Sequence, residues 1–167
     1  MMFKIFFTSI LLFIISCQPS SKQEPAAQSK LTTKDSLKIT QEVLGVVNDY
    51  TQAHNNMDAA KAADYFVNSP EFVCVENAEL DPSWDALAKM IKNWYSNAAS
   101  AKFGWENEKV LVLSKNSAAM TGKFNFEATL KNKKKYASTG HATIVFVKQN
   151  DQWKFYHYHE SYKAVNK

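Results

Sequence analysis

The chain has no arginine; all 20 of its basic residues are lysine. Planar bidentate forks for carboxylate or phosphate are therefore missing, and any anion site must use lysine, histidine or backbone N–H groups. No Gly-rich phosphate loop and no nucleophile motif is present. Internal repeats are also absent. The net charge of +4 is too mild to argue for nucleic acid as a partner. Only two cysteines occur, Cys17 and Cys74.

What is present begins at the N-terminus. Lys4 supplies a positive charge, and Ile5 to Ile15 is an apolar run broken only by Thr8 and Ser9. The run is shorter than the roughly 20 apolar residues that a membrane-spanning helix needs, and it reads as a secretory signal. It ends in Ile14-Ile15-Ser16-Cys17, which resembles the lipobox of bacterial lipoproteins. That resemblance implies a cut after Ser16 and acylation of Cys17. Two or more acyl chains hold a protein stably where one does not, each buried methylene contributing about 0.8 kcal/mol. The expected address is the bacterial cell envelope, at the outer membrane or facing the periplasm, with the membrane as partner through the lipid. The signal takes one lysine and no acid, so 19 lysines face 16 acids in the remainder, a net charge of about +3. With Cys17 acylated, Cys74 has no disulfide partner. Between Val73 and Val75 it reads as a packed, inert thiol.

Three segments follow: a signal over 1–16, a Ser-, Gln-, Pro- and Ala-rich tether over 17–33, and one domain over 34–167, long enough for a single core. The domain opens with helical spacing, Leu37, Val43, Leu44, Val47, Tyr50 and His54 on one face. Asn55-Asn56 ends this helix, and Asp58 caps a short second one carrying Ala62, Tyr65 and Phe66. Glu71 to Glu76 reads as a strand. Asp81-Pro82 starts a third helix, with Asp81 as N-cap and a stripe of Trp84, Leu87, Ile91 and Trp94 or Tyr95. From Phe103 the period is two. Phe103, Trp105, Leu111 and Leu113 share one parity; Met120, Phe124, Phe126, Ala128 and Leu130 share another. A turn at Lys115-Asn116 sets Leu111 opposite Met120, Trp105 opposite Phe126 and Glu108 opposite Lys123. A lysine-rich turn, Lys131 to Lys135, leads into a strand from Tyr136 to Lys148. Asn150-Asp151 then turns into the last strand, Trp153 to Tyr162. The fold class is α+β.

This order resembles the NTF2-like (cystatin-like cone) superfamily, above all the branch of SnoaL-like domains, the DUF4440 group and the association domain of calmodulin-dependent kinases. Three passages carry the likeness: the helix end Ala53-His54-Asn55-Asn56-Met57-Asp58, the helix from Trp84 to Tyr95, and the ending Trp153-Lys154-Phe155-Tyr156-His157-Tyr158-His159-Glu160-Ser161. The resemblance implies three N-terminal helices packed on a curved, mainly antiparallel sheet, a pocket between the third helix and the concave face, and homodimers made through the sheet. Association domains often carry arginine between the second histidine and the serine, where this chain has Glu160.

Candidate site residues follow from the strands. His157 and His159 point the same way, but a metal site needs a third ligand. His141 and Glu160 are near, yet Glu160 has the opposite parity to both histidines, so no metal and no cofactor is expected. His141 with Glu160 is a candidate acid–base pair: a strict two-residue turn sets 141 opposite 160, and a bulged turn sends His141 to the other face. Trp84, Ile91, Tyr95, Trp105, Phe124, Tyr158 and Glu160 are the expected ligand-binding residues; the aromatics read equally as core. Glu160 and Tyr158 are expected inside the cone, on the resemblance, with His157 and His159 on the other face. No aspartate lies after Lys102 except Asp151 in a turn, which argues against an isomerase with a deep aspartate base. Three function classes stay open. They are a lipid-anchored module that binds a small ligand or partner, a SnoaL-like enzyme of isomerase, cyclase or dehydratase type acting on a small apolar or carbonyl compound, and a structural dimer.

Overall fold

The computed structural model describes residues 31–81 and 83–165. The signal sequence, Cys17, the tether up to residue 30 and Pro82 lie outside the described residues. No helix among the described residues is long and apolar enough to cross a membrane.

Helix α1 (Thr33–Asn55) starts at a reciprocal cap: Thr32 Oγ1 accepts from the Asp35 N–H at 3.1 Å, and Asp35 Oδ2 accepts from the Thr32 N–H at 3.1 Å. It buries Ile39, Val43, Val47, Tyr50 and Ala53. Leu37 and Leu44, expected on this face, are exposed instead. At 100° per residue they lie roughly 120° round the axis from the buried stripe. The short α2 (Ala59–Asp64) is capped by Asp58, whose carboxylate accepts from the Lys61 N–H at 3.0 Å.

A hairpin follows, β1 (Val73–Glu76) and β2 (Glu79–Asp81). The sequence reading missed β2 and misplaced the next cap. Asp81 pairs with Cys74 inside the hairpin, so Ser83 takes over. Its Oγ accepts from the Ala86 N–H at 3.2 Å and starts α3 (Trp84–Asn97). Four long strands complete the domain: β3 (Ala98–Ser114), β4 (Ser117–Leu130), β5 (Lys135–Gln149) and β6 (Gln152–Ala164). The sheet order is β2-β1-β6-β5-β4-β3, antiparallel except where β1 runs parallel to β6. The helices pack on one face of this curved sheet, giving the α+β cone expected from the sequence.

Two irregularities decide which side chains face inward. The β3–β4 turn falls at Lys115-Asn116, but the register then slips three times, between Val112 and Ser114, between Glu106 and Lys109 and between Ala98 and Ser100. Leu111 lies opposite Ala119, Trp105 opposite Phe124 and Glu106 opposite Lys123, each displaced from the expected partner. The second slip sits at Asn107, whose φ of 58° breaks the alternation. Phe103 and Trp105 therefore pack inward on one side of the bulge and Val110 and Val112 on the other, while Leu111 and Leu113 are 63% and 52% exposed.

The last hairpin is a two-residue turn with both Asn150 and Asp151 at positive φ, 49° and 61°. Its slip comes later, between Val145 and Phe146, where Tyr156 is the extra residue. Trp153 and Phe155 are buried before the bulge and Tyr158 after it.

Phe146, Phe155, Met120 and Ile144 are wholly enclosed at the centre. Tyr50 meets His54, Tyr65, Phe66, Phe103 and Phe155 edge-on, at centroid separations from 4.4 to 6.1 Å. Two polar clamps fix α1 on the sheet. Asn55 Oδ1 accepts from the Phe103 N–H at 2.6 Å while its Nδ2 donates to Phe103 O at 3.2 Å. Glu42 Oε2 accepts from Trp153 Nε1 at 2.8 Å and Lys148 Nζ at 3.2 Å.

Candidate functional site

A cavity of about 110 Å³ lies between α1, α3 and the inner face of the sheet. Its walls are mostly aromatic, and no lysine lines it.

Strand β6 supplies the polar floor. The bulge at Tyr156 aims Tyr158, Glu160 and Tyr162 inward at two-residue spacing. The Tyr158 hydroxyl donates to Glu160 Oε2 at 2.7 Å. Strand β1 adds Cys74 and Glu76, also two apart. Parallel pairing sets Cys74 beside Tyr158 and Glu76 beside Glu160. Burial pushes the Glu160 carboxyl up to about 7 against the opposing effect of the Tyr158 hydrogen bond. Burial also pushes Glu76 up to about 7, helped by the charges of Glu160 and then Asp81. Both groups therefore titrate near neutrality.

Behind this pair, Asp81 stands beside Cys74 as its register partner on β2. Burial, followed by the charges of Glu76, Asp81 and Glu160, drives the thiol far above its ordinary range. It is a packed, protonated thiol and not a nucleophile. The Cys74 sulfur and one oxygen each of Glu76 and Asp81 lie within 4.8 Å of one another. These donors are a different set from the histidines weighed in the sequence, and burial keeps the thiol among them protonated.

The opposite wall carries His54 of α1 and Tyr95 of α3. The Tyr95 hydroxyl and His54 Nδ1 share a hydrogen bond. His54 Nε2 is buried with no partner. Burial pushes the imidazole down to about 3, so it is neutral at physiological pH. Burial also raises the Tyr95 phenol.

Of the residues expected from sequence, Ile91, Tyr95, Phe124, Tyr158 and Glu160 stand in the cavity wall. Trp84 does not; its Nε1 donates to Ala63 O at 3.0 Å and ties α3 to α2. Trp105 is also outside, laid across Gly122 and edge-on to Phe103 and Phe124. The His141–Glu160 pair does not form. His141 is exposed opposite Ser161, and Glu160 lies opposite Ala142, because the Tyr156 bulge shifts the register after a two-residue turn. His157 is half-buried and His159 exposed, on the face away from Tyr158.

Tyr50, His54, Glu76, Phe103, Tyr136, Ser138 and Tyr162 are wall residues that sequence reasoning did not assign. For Glu76 a signal existed, since it shares strand parity with the apolar-flanked Cys74. For His54 the signal was its place at the end of the apolar stripe of α1.

Residues 43–165 match the family model of the SnoaL-like domain. This chain belongs to the SnoaL-like domain family. No curated protein matches it. Among solved structures, a provisionally named scytalone dehydratase from Novosphingobium aromaticivorans is 15% identical with a TM-score of 0.73, covering 79% of this chain and 89% of that one. An NTF2-like superfamily protein from Salmonella enterica is 20% identical with a TM-score of 0.68, covering 79% and 94%. A hexachlorocyclohexane dehydrochlorinase, LinA type 2, is 10% identical with a TM-score of 0.66, covering 81% and 94%. At these identities the likeness shows the NTF2-like fold alone, and it agrees with the SnoaL-like cone described above.

Proposed function

We propose that this chain is a lipid-anchored envelope protein whose SnoaL-like domain binds a small, mostly apolar molecule with one polar end. The observation that carries the reading is the aromatic cavity with Glu160 and Tyr158 hydrogen-bonded in its wall. Ligand sites are typically apolar pockets with a few convergent polar groups. A volume of about 110 Å³ is of the order of the roughly 150 Å³ that admits one benzene ring. The anchor rests on Lys4, the short apolar core and Ile14-Ile15-Ser16-Cys17. Intact-mass analysis of membrane-extracted protein tests it: acylated Cys17 as first residue supports the reading, and a soluble product retaining residues 1–16 refutes it. The pocket is tested by screening single-ring compounds by ligand-observed NMR. Displacement from Phe124→Trp, but not from an outer-face variant such as His159→Gln, is the expected pattern.

One observation favours a second reading, acid–base catalysis: two desolvated carboxylates near pKa 7 face the cavity beside a phenol donor. Fold neighbours named as a dehydratase and a dehydrochlorinase make a Glu160-dependent elimination the reaction to assay. Turnover of a hydroxyl or carbonyl compound that vanishes in Glu160→Gln would establish it.

A further inference from the structure

The charge pattern of the cavity narrows the ligand class. We infer that the cavity takes a small organic ammonium ion, its nitrogen between Glu76 and Glu160 and its carbon body against the aromatic walls. This deepens the ligand-pocket reading above and rests on it.

Glu76 and Glu160 are register partners on parallel strands, so their carboxylates share one end of the cavity. Among the described residues neither has an ion-pair partner, and no lysine reaches the cavity wall. The acidic Asp81 stands behind Glu76. The other groups that face the pair carry no positive charge. From α1 come Tyr50 and a neutral His54, from α3 Tyr95, from β1 the protonated Cys74, from β5 Tyr136, and from β6 Tyr158 and Tyr162. A buried carboxylate with no counter-charge is costly and is relieved by a cation or a proton. Two of them repel a carboxylate or phosphate ligand outright.

The walls add to this selection. Tyr50, Trp94, Tyr95, Phe124 and Tyr158 present ring faces or edges to the same space, and the faces of such rings attract desolvated ammonium groups. His54 Nε2, buried and unpartnered in the opposite wall, offers a second polar contact for a ligand that spans the cavity. A neutral ligand of the same shape would use the rings but leave the carboxylates holding a proton.

The test is calorimetric titration of benzylamine, benzyl alcohol and benzoate into the full chain in mild detergent, with Glu160→Gln and Glu76→Gln as comparisons that cancel micelle partition. Benzylamine is expected to bind at least about tenfold tighter than benzyl alcohol, and benzoate not to bind. Ammonium binding requires ionised carboxylate, so affinity should rise about tenfold from about pH 6 to about pH 8, with proton release visible in buffers of different ionisation heat. Each Gln variant should lose about tenfold or more for the amine and leave the alcohol within about twofold. If a variant does not fold, the amine-to-alcohol ratio and the pH trend of the natural chain decide. Benzyl alcohol binding as tightly as benzylamine, or amine affinity flat with pH, overturns the ammonium inference and leaves the ligand pocket standing. No binding by any of the three overturns both.

Discussion

Glu76 and Glu160 stand side by side as register partners on the parallel strands β1 and β6, and the Tyr158 hydroxyl donates to Glu160 at 2.7 Å. Two acids in so dry a place cannot both ionise cheaply. Folding therefore favours their protonated forms, and the arrangement is a standing cost to the fold at neutral pH. Such costs persist where a site uses them.

That cost is measurable as a pH-dependent stability difference. Both carboxyls rise from an ordinary 4.5 to about 7 on folding, so between these values the folded chain holds more protons than the unfolded one. The stabilising contribution is complete below about 4.5 and lost as pH rises through about 7. Glu160→Gln keeps an acceptor for Tyr158 and cannot ionise. Urea unfolding should show it gaining on the natural chain by on the order of 2 kcal/mol between about pH 5 and pH 8. A constant difference across that range would mean that Glu160 is solvated.

His54 works in the opposite direction. Its imidazole falls from 6.5 to about 3 on folding, so the unfolded chain takes up a proton below 6.5 that the folded chain refuses. The stability held above about 6.5 is lost as pH falls toward about 3. His54→Gln should flatten the acid limb of the stability profile, by on the order of 2–4 kcal/mol between about pH 6.5 and pH 4. Tyr95→Phe is the companion: it leaves Nδ1 unpaired beside the already unpaired Nε2 and should cost about 1–3 kcal/mol near neutrality.

What is legible in the sequence rests on alternation. The α+β order, the turns at Lys115-Asn116 and Asn150-Asp151, and the inward set Met120, Phe124 and Ala128 were legible because helical and period-two patterns are properties of adjacent residues. The bulges at Asn107 and Tyr156 were not, since nothing local marks one extra residue in a strand. Each bulge inverted the faces beyond it. One turned Leu111 and Leu113 outward, and the other separated His141 from Glu160. The short β2 was missed, as was the β1–β6 pairing, which joins residues some 80 positions apart and leaves no local trace. Glu160 and Tyr158 were picked as inward residues through the family resemblance, whereas Glu76 depends on that distant pairing.

The outer face of the sheet invites a second copy of the chain. Leu111, Ala119, Val145 and His157 form one row across β3, β4, β5 and β6 on the side away from the helices, and Leu111 is 63% exposed. Self-association through this row would cover it. We expect the detergent-solubilised chain to sediment as a dimer at micromolar concentration. Leu111→Lys with Val145→Lys should convert it to monomer while leaving the cavity and its ligand affinity unchanged. A monomeric natural chain would reject the interface.

Two glycines should respond to alanine in opposite ways. Gly140 lies on the inner side of β5, and a Cβ there would sit 2.2 Å from Ser161 O, 2.7 Å from Tyr162 Cβ and 2.8 Å from Tyr162 Cα. These are mostly backbone contacts, so no side-chain rotation relieves them. Gly140→Ala must push β6 away from β5 where Glu160 and Tyr162 enter the cavity, and it should cost about 1–3 kcal/mol or more and weaken ligand binding. Gly45 is an exposed position inside α1 with nothing within 4 Å of a Cβ. Gly45→Ala removes backbone entropy from the unfolded chain and should add about 0.4–1 kcal/mol with the cavity untouched. Thermal unfolding of both variants with benzylamine titration separates the two effects. If Gly140→Ala were as stable as the natural chain, β5 and β6 could not approach as closely as this geometry requires, and the inward placement of Tyr162 beside Gly140 would have to be revised.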